Sequence, residues 1–136
     1  MKQILKTIVI SLTLLLPTVC WGGVDGKGIM CETQRLFFND NKVTKYGFKT
    51  INDKVKITTT FNVAYYLSEN YIEWYAFSFH HLLNRQTLKL SITNTKGDMD
   101  TYECEVNSES EFFEELERSK KHYQSEYDEV TTKNKI

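Results

Sequence analysis

KVKITTT, residues 54–60, alternates along its whole length: Val55, Ile57 and Thr59 fall on one side of an extended chain, Lys54, Lys56 and Thr58 on the other. Val, Ile and Thr dominate the stretch, and β-branched side chains fit a pleated surface better than a helix. A period of two with one apolar side predicts a strand buried on one face. The turn pair Asn52-Asp53 stands just before it.

The same pattern recurs on both sides. Upstream lie GIMCE (28–32), RLFFN (35–39) and KVTKYGF (42–48), with Asn39-Asp40-Asn41 as a turn. Downstream, the looser FNVAYYLSEN (61–70) ends in Ser68-Glu69-Asn70. YIEWYAF, SFHHLLN, LKLSITN and TYECEV then follow, with turns at Asn84-Arg85-Gln86-Thr87 and Lys96-Gly97-Asp98. About eight strands at intervals near ten residues, with short connections, predict a mainly β antiparallel meander or a small up-and-down barrel. No crossover helix fits between strands, which excludes a parallel sheet.

From Asn107 the period changes. Ser108 and Glu111 form a capping box, with Ser108 as N-cap. Phe113, Leu116, Tyr123 and Tyr127 follow at helical spacing with Lys120, and Phe112 lies beside them. Residues 109–129 are thus expected to form one C-terminal amphipathic α-helix whose apolar stripe needs a cover. The segment holds eight acidic and three basic side chains. Its outer face should be the most negative surface of the molecule, either simply solvated or a dock for a basic partner.

The first 22 residues read differently. Lys2 and Lys6 precede an apolar run from Ile8 to Leu16, then Pro17 and small or turn-forming residues. This is the order of a secretory signal peptide, cleaved after Gly22 or after Cys20. Cys20 as a lipid acceptor is the lesser reading, because Val19 stands where a lipobox carries a small residue. The expected organisation is a signal at 1–22, one domain at 23–129 and a frayed tail at 130–136. A periplasmic or secreted location follows. After cleavage no stretch is long and apolar enough to span a membrane.

Composition bounds what that domain can be. The chain has 136 residues, 40% hydrophobic and 26% charged, with one proline and six glycines, which excludes disordered and collagen-like classes. Past residue 22 there are fifteen basic and eighteen acidic side chains. That balance gives no electrostatic reason for a nucleic-acid partner. Cys31 and Cys104 are the two cysteines left after cleavage, and in an exported domain they are expected to form a disulfide.

Few residues point to chemistry. His80 and His81 are adjacent, so in a strand they face opposite ways and cannot share a metal. The reading is one histidine packed among aromatics and one exposed, with no metal and no cofactor. Glu73, Glu103 and Glu105 carry no catalytic motif, and Gly26 and Gly28 fit a turn around a single lysine. Tyr65, Tyr66, Tyr71, Trp74, Tyr75, Phe77 and Phe79 crowd into fifteen positions. Two readings stand for that run: strand and core propensity, or an aromatic binding patch. Arg85 sits in a hairpin turn, structural or exposed for recognition.

DGKGIMCE (25–32), LNRQTLKLSI (83–92) and YEC (102–104), followed by a charged helix, resemble a group of uncharacterised small exported β-rich proteins of marine bacteria. That resemblance brings no activity with it. In architecture alone the chain is similar to small periplasmic β-barrel inhibitor proteins, the lysozyme inhibitors of the membrane-bound C-type family, whose glycine- and tryptophan-marked motif is not found here. The expected function is a monomeric, non-enzymatic binding or accessory module for a protein or a small apolar ligand. It would use the 65–79 segment or the open end of the sheet. The alternative is a hydrolase-like enzyme built on scattered carboxylates and a histidine.

Overall fold

The computed structural model describes residues 23–133. The expected signal, both cleavage positions and Cys20 lie outside the described residues.

Ten strands form two antiparallel sheets of five. Sheet A holds β1 (Lys27–Cys31), β2 (Gln34–Asn39), β3 (Lys42–Ile51), β4 (Lys54–Ala64) and β10 (Glu105–Ser108), in the order β10-β1-β2-β3-β4. Sheet B holds β5 (Tyr66–Leu67), β6 (Tyr71–Ala76), β7 (Phe79–Asn84), β8 (Lys89–Thr93) and β9 (Met99–Glu103), in sequence order. The meander is therefore real, but it splits into two sheets and does not close into a barrel. Ten strands replace the expected eight. The loose 61–70 stretch contributes the end of β4 and the short β5, and TYECEV is two strands that part at Cys104.

The alternation of side chains builds two cores. Leu36 and Phe38 of β2 point between the sheets, where they meet Ile72, Trp74, Leu83 and Leu90. Phe37, between them in sequence, points the other way and packs with Phe112 and Leu116. The helix α1 (Glu109–Lys133) thus covers the outer face of sheet A, giving three layers: helix, sheet A, sheet B. It runs four residues beyond the expected end. Its anchors are Phe112 and Leu116, both almost fully buried, while Phe113 flanks them against Phe37 and Tyr46. Ser108 caps it as expected, accepting the Glu111 N–H at 3.3 Å.

One irregularity serves both cores. Tyr46 pairs with Thr59 and Lys45 with Phe61, so Thr60 is an extra residue on β4. Before this bulge Ile57 faces the helix layer, and after it Phe61 faces the inter-sheet core. Gly28 is a correction to the turn reading. It lies inside β1, and a Cβ there would stand 2.6 Å from the Phe112 Cβ, so the helix docks where a side chain is missing. Gly26 does sit in the turn, with φ +82.

Cys31 and Cys104 form a disulfide. It ties the end of β1 to the point where the chain passes from sheet B back to sheet A. Closing a loop of 73 residues restricts the unfolded chain by roughly 4 kcal/mol on the chain-entropy account.

Candidate functional site

At one end of the molecule the two sheets part and leave a cleft of about 200 Å³. Ile29, Phe38, Ile72 and Leu83 are buried and form its floor. Gly23, Val24, Lys27, Arg85, Leu88 and Val106 are half-buried or exposed and form its rim. Each floor residue comes from the inward phase of its strand, so the floor is a consequence of the alternation read in the sequence. Segments 25–32 and 83–92, both singled out there, meet across this cleft.

The rim is built by the 84–88 loop. Asn84 Oδ1 accepts the N–H groups of Gln86 and Thr87 at 2.9 and 3.0 Å, the Asx geometry expected of that turn. The Arg85 N–H donates to Asn70 O at 2.8 Å, and its Nη1 donates to Ser68 O at 2.9 Å. Leu88 adopts a left-handed conformation, φ 56, that only a constrained loop holds in a leucine. Its carbonyl accepts the Cys104 N–H at 2.9 Å, so the disulfide junction also fixes the rim. The cleft lining holds no carboxylate and no imidazole; its two ionisable groups are Lys27 and Arg85.

The tyrosines of the 65–79 segment divide between two environments. Tyr66, Tyr71 and Tyr75 are 62%, 41% and 58% exposed, with Tyr71 and Tyr75 on the outward phase of β6 and Tyr66 paired to Glu73 of that same phase. Beside them Glu73 Oε2 meets His80 Nε2 at 2.9 Å, and the His80 ring stacks on Tyr75. Tyr65 stands apart at the passage between sheets, its hydroxyl donating to Asp25 at 2.5 Å and its ring edge-on to Phe38. Burial, and then Asp25, push that phenol well above the usual tyrosine range. Trp74 corrects the patch reading: it is fully buried between the sheets and offers nothing to a ligand on the surface.

His81 is the packed histidine. It is 4% exposed, stacked on Trp74 and tilted against Phe61, with Nδ1–H donating to Phe79 O at 3.2 Å. Burial lowers its pKa to about 4, and the charges of Lys45 and His80 add to that. The two histidines face opposite sides of sheet B, as their adjacency required. Among the described residues no group of three or more His, Cys, Asp or Glu could hold a metal, and no helix is long and apolar enough to cross a membrane.

Sequence reading offers the open end of the sheet as one of two binding regions, but of the residues lining the cleft it names only Arg85 as a candidate. Lys27 and Val106 reach the rim through strand pairing across sheet A, which puts Lys27 opposite both Phe38 and Ser108. Val24 reaches it from the turn before β1, where its carbonyl accepts the Lys27 N–H. No local pattern announces such a meeting. No protein-family model, curated protein or solved structure matches the chain.

Proposed function

We propose that the protein is a non-enzymatic binding module that holds a small apolar ligand in the inter-sheet cleft. The observation that carries this is the lining: an aliphatic and aromatic floor reached past a rim, with no group able to act as a general base at neutral pH. The disulfide supports a site of action in an oxidising compartment, in keeping with the periplasmic or secreted location expected from residues 1–22. The module acts as a monomer.

Cyclohexane, uncharged and compact, tests the cleft. In a proton–carbon spectrum of methyl groups, its addition should shift Ile29, Ile72 and Leu83 and leave Leu116, in the other core, in place. An unchanged spectrum at saturating cyclohexane refutes the reading.

The exposed Tyr66, Tyr71 and Tyr75 favour a second reading, a protein partner laid on the outer face of sheet B. The hydrolase-like alternative has one feature in its favour, the Glu73–His80 pair. That pair lies on the outer sheet face, whereas the lining of the cleft offers it nothing to act with.

A further inference from the structure

We propose that the cleft takes a single-chain alkyl carboxylate, its chain on the floor and its carboxylate between Lys27 and Arg85. This rests on the reading of the cleft as the ligand site and adds the chemical class of the ligand.

Three observations converge on it. The floor of Ile29, Phe38, Ile72 and Leu83 carries no side-chain hydrogen-bonding group, so what lies on it gains by being hydrocarbon. The rim is cationic. Lys27 and Arg85 are the only charged residues of the lining, and the five ion pairs among the described residues involve neither. Arg85 uses Nη1 on the carbonyls of Ser68 and Glu69, which orients the guanidinium. Its Nε and Nη2 donors are committed to no partner among the described residues, and a fork of this kind matches a carboxylate. Asp25, the acid nearest Lys27 in sequence, is occupied by the Tyr65 hydroxyl.

Volume sets the length. An apolar cavity of roughly 150 Å³ accommodates benzene, so about 200 Å³ accommodates a chain of roughly six to eight carbons. The carboxylate then lies at the rim, where lysine and arginine already are and where it keeps part of its hydration.

Calorimetric titration with octanoate, octan-1-ol and octylamine separates the two parts of the assignment. Octanoate should bind at least tenfold more tightly than octanol, and octylamine should bind more weakly than either. From butanoate to octanoate the affinity should rise roughly tenfold per two methylenes, and dodecanoate should gain nothing further. Lys27→Gln, at an exposed position, should weaken octanoate severalfold and leave both octanol binding and the melting temperature unchanged. Arg85→Gln should weaken it further, and Val106→Trp, on the exposed rim, should block octanoate and octanol alike. Equal affinity for octanol and octanoate would overturn the carboxylate while leaving the apolar cleft standing. Failure of both alcohol and acid, together with an unchanged methyl spectrum in cyclohexane, would overturn the cleft as well. Octanoate binding that survives Lys27→Gln, Arg85→Gln and Val106→Trp would place the ligand elsewhere and refute the proposal.

Discussion

On the outer face of sheet A, Phe37, Tyr46, Phe48 and Ile57 lie under the helix. On the outer face of sheet B, Tyr66, Tyr71, Tyr75, His80 and Glu73 meet solvent. Both faces are rich in rings, and the kind of ring differs. Phenylalanine and aliphatic side chains dominate where a cover exists; tyrosine, histidine and a carboxylate stand where there is none. A tyrosine presents an apolar body with a hydroxyl that water can satisfy. Aromatic density therefore does not tell a covered face from a bare one in this chain, whereas the hydroxyl content of a face does. The hairpin turns differ in the same way. In sheet A, Asp40-Asn41 and Asn52-Asp53 hold both central residues at positive φ, with side chains that tolerate it; in sheet B the same geometry falls on Phe77-Ser78.

The largest test of this contrast is on the covered side. Phe112 is fully buried and its ring lies 5.5 Å from Phe37 and 5.9 Å from Tyr46. Phe112→Ala should lower the unfolding free energy by about 3–5 kcal/mol, measured by denaturant titration. A loss below about 1 kcal/mol would mean that the helix is a loose appendage and that both outer faces are effectively bare. Filling the gap that receives the ring, by Gly28→Ala, should also destabilise, since the new Cβ meets Phe112.

Next comes the inner side of sheet B. His81 titrates near 4 in the folded protein, mainly because it is buried, against 6.5 when exposed. Between those values the unfolded chain binds the extra proton, so folding stability is complete above pH 6.5 and falls as the pH falls towards 4. The total change is about 3 kcal/mol. Unfolding free energies measured from pH 7 to pH 4 should show this slope in the wild type and lose most of it in His81→Phe. A slope that persists in the variant would assign the acid sensitivity to carboxylates instead.

How far the sequence led follows from the range of the signals. Period two along KVKITTT and LKLSITN, the turns at Asn84-Arg85-Gln86-Thr87 and Lys96-Gly97-Asp98, and the Ser108 cap are local features, and each is present in the structure. The helix stripe was legible, but its anchor was not. Phe112 and Phe113 are both apolar neighbours, and only the hole at Gly28 decides between them. The Thr60 bulge escaped for a related reason: a strand read alone shows an apolar phase, not which layer each half of it faces. Gln124 shows the same limit. Its side chain accepts the Val55 N–H and donates to Asp53 O, latching the helix to the β3–β4 turn across 69 and 71 residues. The cleft is the extreme case, since its rim joins residues from both ends of the domain.

A smaller effect of opposite sign is expected at the Phe77-Ser78 turn. Holding a non-glycine residue in the left-handed region costs roughly 1–2 kcal/mol, and Asn-Gly is the pair that suits this turn. Replacing Phe77-Ser78 by Asn-Gly should raise stability by about 1–2 kcal/mol, less whatever the Phe77 ring gains at 6.2 Å from Phe61. Thermal melts decide it. A net loss would show that the Phe77–Phe61 contact outweighs the backbone strain, and the turn would then belong to the core and not to the surface.

The smallest effect is on the bare face itself. Tyr71 is 41% exposed at the end of β6 opposite Asn84, and Tyr66 is 62% exposed on the two-residue strand β5. Each loses little contact on truncation, and exposed positions away from caps and cavities change stability by no more than about 0.5 kcal/mol. Tyr66→Ser and Tyr71→Ser should therefore leave the melting curve and the cyclohexane response of Ile72 and Leu83 nearly unchanged. Phe37→Ser, the outward ring of sheet A, should remove most of the stability because it strands a hydroxyl under the helix. If the tyrosine variants proved as damaging as Phe37→Ser, sheet B would need a cover of its own, and its outer face would be an interface rather than a wetted wall.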